Sequence, residues 1–468
     1  MGRVLQRRRA RVNHFGIARE ASNLGSLAVR GVLVASKSTG SKNGGRRRLI
    51  FVPWFAHLIL IAIVAASILL MLLRPRGIAE VYWIGAGALL LVALRLVPLR
   101  LAGDAVAEGT DVYLFLTGMM LLSELARFYG VFDWLAAYAV EHALGSRARL
   151  FTLIYGVGTV VTIFMSNDAT AVVLTPAVLT AVRKSKAEPL PYLFACALIA
   201  NAASFVLPIS NPANLVVYRT RMPSLAHWMG AFALPSLLSI VATYLVLRWY
   251  FRQELQGSVP NGAHIEPLTG NGKVVLAGIL AVAAVLLVAS AMNKDLGLPT
   301  CLSALAIACI AVIKARTNPM KIVRDISWSV LPLVAGLFIL VEAFVTIGAL
   351  KYTAAAFAWV EKLPHGMGAL LTGAVVGVGN NVVNNLPLGL IAGSTLQSAH
   401  AHGLIAHVVL IAVDLGPNLS VTGSLATILW LIALRREGLH VSFGKFLKVG
   451  ALAMPIALAL AIGAAVLM

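Results

Sequence analysis

Apolar runs of membrane-spanning length dominate this chain and leave it few folds to choose from. Leu49 to Leu73, Asp111 to Tyr129, Val274 to Met292, Val330 to Leu350 and Val449 to Met468 run between 19 and 25 residues, with shorter runs at Ile78 to Leu94 and Thr300 to Ile313. As helices, the longer ones match a bilayer core roughly 30 Å thick. In hydrocarbon every backbone N–H and C=O must be bonded internally, which leaves helices or closed barrels. The runs lack the sustained period-two alternation of barrel strands. With 59% hydrophobic and 12% charged residues and a mean hydropathy of +0.88, the expected class is an all-α polytopic membrane protein. No P-loop pattern is present, so the chain does not itself hydrolyse ATP by that route.

The formal charge of +20 divides unevenly. Residues 1–48 carry 12 Lys and Arg against Glu20 alone, a net +11, and the rest of the chain carries +9. This tail lacks interleaved aromatics and any nucleic-acid module, so nucleic acid is not an expected partner. By the positive-inside tendency a disordered tail stays cytoplasmic, as do Arg183-Lys184-Ser185-Lys186 and the segment Lys314 to Arg324, and the expected location is the inner (plasma) membrane. An Arg-rich targeting segment is the alternative reading of the tail. The apolar stretch after Arg48 is long for a signal-peptide h-region and is assigned to the first transmembrane helix.

Polar phrases interrupt the apolar runs twice, in matching places. Ser166-Asn167-Asp168-Ala169-Thr170 is followed by Asn201 and then Ser210-Asn211-Pro212-Ala213-Asn214. Val383-Asn384-Asn385-Leu386-Pro387 is followed by Asp414 and then Thr422-Gly423-Ser424-Leu425-Ala426-Thr427. Gly118-x5-Glu124-x5-Gly130 superimposes on Gly336-x5-Glu342-x5-Gly348 at an offset of 218, and Asn167-Asp168 on Asn384-Asn385 at 217. From Asn201 and Asp414 onward the register needs no gap, so that Ser210, Asn211 and Asn214 meet Gly423, Ser424 and Thr427. An internal duplication follows. The expected organisation is a basic tail (1–48), a first transmembrane repeat (49–251), a polar linker (252–272) and a second repeat (273–468), each repeat holding about five or six hydrophobic segments. Basic residues after the first phrase, absent after the second, favour inverted repeats, although Arg219 and Arg221 correspond to Arg435 and Arg436. Short segments broken at Pro176 and at Pro387 and Gly389 point to paired re-entrant or broken-helix tips at a transporter's midplane.

Asn, Ser and Thr offer both donor and acceptor, and can serve free backbone groups at a helix break or a hydroxylated solute. The candidate substrate-binding residues are Asn167, Asp168, Ser210, Asn211, Asn214, Asn384, Asn385, Gly423, Ser424 and Thr427. Helix capping is the competing role for each. No Lys or Arg lies in these phrases, which disfavours an organic di-anion. Asp168, Asp414, Glu124 and Glu342 fall inside spans, where a carboxyl is costly and marks a functional pathway. They are the candidate proton carriers; a fixed ion pair, for example Glu124 with Arg127, is the alternative. The histidines sit mostly near segment ends, and no metal or cofactor is expected. Cys196, Cys301 and Cys309 have no metal-ligand spacing and form no disulfide framework.

Asn167-Asp168-Ala169-Thr170-Ala171-Val172-Val173-Leu174-Thr175-Pro176, Asn384-Asn385-Leu386-Pro387 and above all Asp414-Leu415-Gly416-Pro417-Asn418 with Gly423 to Trp430 resemble the ArsB family of arsenite/antimonite efflux permeases, within the ion transporter superfamily. The likeness covers roughly residues 50–468. Asn201 and Asn418 differ from the pattern, in which Asp and Lys are expected. The resemblance implies extrusion of arsenite and antimonite in exchange for protons, a two-repeat fold, and optional association with a soluble ArsA-type ATPase; a homodimer is a further expected assembly. Undissociated arsenite, As(OH)3, is a small neutral triol that suits a cage of amides and hydroxyls. The alternatives are a carboxylate or sulfate permease or a sodium/proton antiporter of the same superfamily and, more remotely, a membrane-embedded enzyme or structural subunit. Because hydroxyls rather than thiolates are assigned to the cargo, replacing Cys196, Cys301 and Cys309 together by Ser is expected to leave arsenite transport into vesicles largely intact. Complete loss in well-folded protein would restore a thiolate model.

Overall fold

The computed structural model describes residues 54–218, 222–259 and 266–468. The tail 1–48, the start of the first apolar run at Leu49, and Arg219 and Arg221 lie outside the described residues. The first half contains α1 (Trp54–Leu73), α2 (Glu80–Ala93), α3 (Leu99–Glu108), α4 (Thr110–Phe128), α5 (Val131–Glu141), α6 (Arg147–Phe164), α7 (Thr175–Lys184), α8 (Leu190–Ala202), α9 (Pro212–Tyr218) and α10 (Leu225–Tyr250). The second contains α11 (Gly270–Ala291), α12 (Gly297–Ala315), α13 (Pro319–Asp325), α14 (Val330–Thr346), α15 (Leu350–Val360), α16 (His365–Val383), α17 (Asn385–Ala399), α18 (Leu404–Leu415), α19 (Leu425–Arg436) and α20 (Phe443–Leu467). Helix for helix, the second ten repeat the first. Eight helical segments among the described residues are long and apolar enough to cross a membrane, or nine if α3 and α4, bent by 48°, form one span. The protein is an all-helical, multi-pass membrane protein.

Residues matched between the halves do the same structural work. Gly130 and Gly348 take φ of 74° and 75° where α4 and α14 end, a left-handed conformation that costs glycine little. Ser224 and Ser442 cap α10 and α20, accepting from the N–H of His227 and Lys445. Gly118 and Gly336 mark close helix crossings. A Cβ on Gly118 would lie 2.7 Å from the Thr300 carbonyl oxygen on α12, and one on Gly336 would lie 2.7 Å from Ile84 Cγ2 on α2. Since α2 and α12 are themselves equivalents, the crossings are reciprocal: each half lays its second helix on the fourth helix of the other.

The same exchange recurs in the centre. α9 packs on α17, and α19 packs on α7 and the turns before it. α10 and α20 pack along each other. Phe194 of α8, Trp430 of α19 and Phe446 of α20 form an aromatic cluster with centroids 5.6–5.7 Å apart, all fully buried. Outward-facing Leu58, Ile59 and Ile61 on α1 and Leu298, Leu302 and Leu305 on α12 are exposed, as a lipid-facing surface requires.

Arg183, near the end of α7, donates 2.8 Å to the Glu437 carbonyl just beyond α19. The basic ends Arg183-Lys184 and Arg435-Arg436 thus share one side of the molecule. Between the halves, Leu255 and Val259 are buried, Val259 N–H donates 2.9 Å to the Gly145 carbonyl, and Gly270 to Gly272 form the first turn of α11, capped by Thr269. These apolar anchors hold part of the polar linker against the first half.

The two crossings predict unequal tolerance. Gly118→Ala must move the α12 backbone, whereas Gly336→Ala must displace only an Ile84 methyl group. Gly118→Ala is expected to lose about 1–3 kcal/mol and Gly336→Ala less, read as the drop in melting temperature of detergent-purified protein. Equal losses would reject the asymmetry.

Candidate functional site

The first break follows α6. Ser166 Oγ accepts from Ala169 N–H at 3.2 Å and Asn167 Oδ1 from Asp168 N–H at 3.0 Å, so both side chains bond backbone donors freed by the interruption. The chain then widens to a π-helical stretch over Ala169–Leu174 before α7. Pro176, in the first turn of α7, has no N–H, and the Thr175 hydroxyl donates 3.2 Å to the Thr170 carbonyl five residues back. Asn167 is buried. Asp168 is half-buried, and its carboxyl has no hydrogen bond or ion pair among the described residues.

The second break is more strained. Asn384 sits at φ 81°, ψ 151°, a region nearly reserved for glycine that costs on the order of 1–3 kcal/mol for other residues. Its neighbours over-determine it. Asn384 N–H donates 2.7 Å to the Asn380 carbonyl and Asn385 N–H donates 2.9 Å to the Gly423 carbonyl; Asn384 Nδ2 donates 3.2 Å to the Thr422 carbonyl. Strain of this kind persists only where the surrounding bonds hold it.

Each break is closed by the later phrase of its own half. Ser210 Oγ donates 2.9 Å to the Ile163 carbonyl at the end of α6, as Gly423 receives Asn385. A Cβ on Gly423 would lie 2.4 Å from Pro417 Cα, so glycine is required there by the close approach. Ser424 caps α19 by accepting from Thr427 N–H at 3.1 Å, and its hydroxyl lies 2.8 Å from that of Thr427. Asn214 is a cap in the fullest sense, with Nδ2 donating to the carbonyls of Ser204, Leu207 and Pro208.

Between the halves, amides and one carboxylate interlock. Asn211 Nδ2 donates 2.8 Å to Asp414 Oδ1. Asn201 Nδ2 donates 2.9 Å to Asn418 Oδ1, and Asn418 Nδ2 donates 2.9 Å to the Leu198 carbonyl. All four side chains are buried, Asp414 and Asn418 completely. Asn418, noted in the sequence only as a departure from the family pattern, is therefore an inter-half clasp. Asn380 and Asn381 are absent from the sequence-derived candidates and hold the second break together. Asn380 Nδ2 donates 2.7 Å to the Ala412 carbonyl; Asn381 Nδ2 donates 3.0 Å to the Gly416 carbonyl, while its Oδ1 accepts from Ser420 N–H and Oγ at 3.0 and 2.8 Å. Two amides one turn before Asn384-Asn385, on the same apolar helix, were the available signal.

Of the carboxyls, Asp168 and Asp414 belong to this region. Glu124 is paired with Arg127, which also donates 2.6 Å to Asp325, so it has the fixed ion-pair geometry. Glu342 lies on α14, outside the interlocking phrases. Cys196 is buried, Cys301 partly so and Cys309 exposed, all as free thiols. No group of three or more His, Cys, Asp or Glu side chains among the described residues is placed to hold a metal ion. His227 and His407 face a cavity of about 990 Å3 together with Val217 and Tyr218 of α9 and Gly393 and Gln397 of α17. Both helices begin at a phrase, α9 after Asn211 and α17 at Asn385, so the cavity lies one short helix away from each, about 10 Å along α9.

This arrangement has counterparts in known proteins. The family model described as "Citrate transporter" matches residues 49–416. The "Arsenical pump membrane protein" of Escherichia coli strain K12 is 26% identical over 411 residues, covering 83% of this chain and 94% of the relative. The "Putative arsenical pump membrane protein" of Bacillus subtilis strain 168 is 23% identical over 411 residues, covering 82% and 93%. Among solved structures, the YdaH transporter of Alcanivorax borkumensis shares the fold with a TM-score of 0.53 at 14% identity, over 88% of this chain and 97% of that one. The expected resemblance to arsenical efflux permeases thus extends over nearly the full length of those relatives, and the chain belongs to the citrate transporter family of membrane transporters.

Proposed function

We propose that this transporter extrudes arsenite, as As(OH)3, and antimonite in exchange for protons. The observation that carries the reading is the chemistry of the four interlocked phrases: Asn, Ser and Thr with Asp168 and Asp414, and no Lys or Arg among them. Such walls exchange hydrogen bonds with a neutral triol and offer no counter-ion to a di-anion. Two relatives covered over more than 90% of their length carry the arsenical-pump name. Asp168, half-buried beside a π-helical turn, and Asp414, buried between the halves, are the carboxyls placed to load and release a proton. Glu124, bound by Arg127, is assigned an electrostatic role instead.

The shared basic side made by Arg183-Lys184 and Arg435-Arg436 is assigned to the cytoplasm by the positive-inside tendency. Under an inverted relation of the halves, the far end of α17, with the 990 Å3 cavity beside it, is then the outward mouth. A second reading, export or uptake of a carboxylate, is favoured by the description of the matching family model.

Everted vesicles energised by an imposed proton gradient and offered arsenite, citrate, sulfate or sodium separate these readings. Arsenite accumulation is expected; accumulation of another solute without arsenite would reject the cargo. In the same vesicles Asp168→Asn is expected to reduce proton-driven arsenite uptake at least tenfold with the protein still in the membrane. Unchanged uptake would remove Asp168 from the proton path.

A further inference from the structure

Asn211 belongs to the first half and Asp414 to the second, and the contact between them has a fixed polarity. Asn211 Oδ1 accepts from Ala213 N–H at 3.0 Å, in the extended turn that enters α9. An inverted amide would set NH2 against that N–H and oxygen against a carboxylate, so both partners dictate the same orientation. Nδ2 therefore points at Asp414 and donates 2.8 Å to Oδ1. Oδ2 of the same carboxyl is enclosed and has no hydrogen-bond partner among the described residues. Ser204 lies beside the carboxyl, but its hydroxyl donates 2.8 Å to the Asn201 carbonyl. Elements α8, α9, α10, α16, α17 and α20 pack on α18. Among the described residues none of their ionisable side chains, nor His407 on α18 itself, acts on the carboxyl.

We propose that Asn211 is a positioning residue for the proton exchange. Its locked amide occupies Asp414 Oδ1 and so makes Oδ2 the favoured seat of the proton, and through α9 it ties that seat to the first half's substrate phrase. This rests on the reading of Asp414 as a proton carrier. Beyond that reading, the two oxygens of one carboxyl have different tasks. A donor facing Oδ1 takes one of its lone pairs and favours it as the carbonyl oxygen of the protonated carboxyl, and it stabilises the ionised form in place of water. When Oδ2 loses its proton, the buried charge keeps the Asn211 bond, with the Ser204 hydroxyl beside it. Asn211 thereby makes the ionised state accessible without a basic residue.

The infrared titration does not depend on which solute is carried; the uptake assay of the double exchange does. In purified full-length protein the infrared band of protonated carboxyls is titrated with pH, and Asp414→Asn identifies the part of the band that belongs to Asp414. Asn211→Ala is expected to move the midpoint of that part toward alkaline pH by about one to two units, the size of a lost hydrogen bond to a charged group. The exchange Asn211→Asp with Asp414→Asn restores a donor facing an acceptor with polarity reversed. It is expected to regain a titrating carboxyl and pH-dependent arsenite uptake in everted vesicles that Asp414→Asn alone lacks. An Asp414 band whose midpoint is unmoved in Asn211→Ala would overturn the positioning role while leaving the carrier reading intact. A titration unchanged by Asp414→Asn would remove the carrier reading itself and this inference with it. Failure of both Asn211→Ala and the double exchange to yield folded protein would make Asn211 a packing residue and also overturn the proposal.

Discussion

Interrupting a helix inside hydrocarbon frees backbone groups that lipid cannot bond, and the polar organisation of this protein answers that constraint. Ser166 and Asn167 meet donors after α6, Ser210 meets an acceptor at its end, and Asn384, Asn380 and Asn381 do the equivalent around α16 and α17. Few of these bonds are between side chains. Most join a side chain to the backbone, so the phrases first make the breaks tenable. Capping and recognition are compatible, because a side chain that spends one polar group on the backbone can still present another to a solute.

The duplication is carried by geometry more than by residue identity. Gly118 and Gly336 recur because two helices must come close, and Gly130 and Gly348 because two helices must end in the left-handed region. Where the halves diverge, the chemistry diverges as well. Asn384 is strained while Asn167 is not, and Asp414 stands where the first half has Asn201. A symmetric frame thus supports an asymmetric centre: in the matched pairs Asp168 with Asn385 and Asn201 with Asp414 a carboxyl occupies only one member.

Much of this was legible in the sequence. The apolar runs gave the class, and self-comparison gave the two halves, which the structure resolves into ten helices each. Many of those helices, such as α9 with seven residues, are too short to register as separate hydrophobic segments. The phrases were visible because polarity inside an apolar run stands out. Asn380 and Asn381 were passed over because they precede the repeated phrase, and the clasp between Asn201 and Asn418 joins residues 217 apart in sequence. No periodicity announces such a contact. Burial was equally hidden for the linker, where Leu255 and Val259 anchor a stretch whose composition is that of an exposed connector.

The reciprocal crossing of α2 on α14 and α4 on α12 bears on how the protein is made. Chains leave the ribosome from the N-terminus, so α2 and α4 enter the bilayer before either has its partner. While the chain grows by 182 residues from Gly118 to Thr300 and by 252 from Ile84 to Gly336, two helices with glycine-lined or partly polar faces wait among lipids or insertion machinery. The halves of the duplicated fold are therefore not units that assemble one after the other. They become stable together, once α12 and α14 arrive to close crossings that α4 and α2 left open.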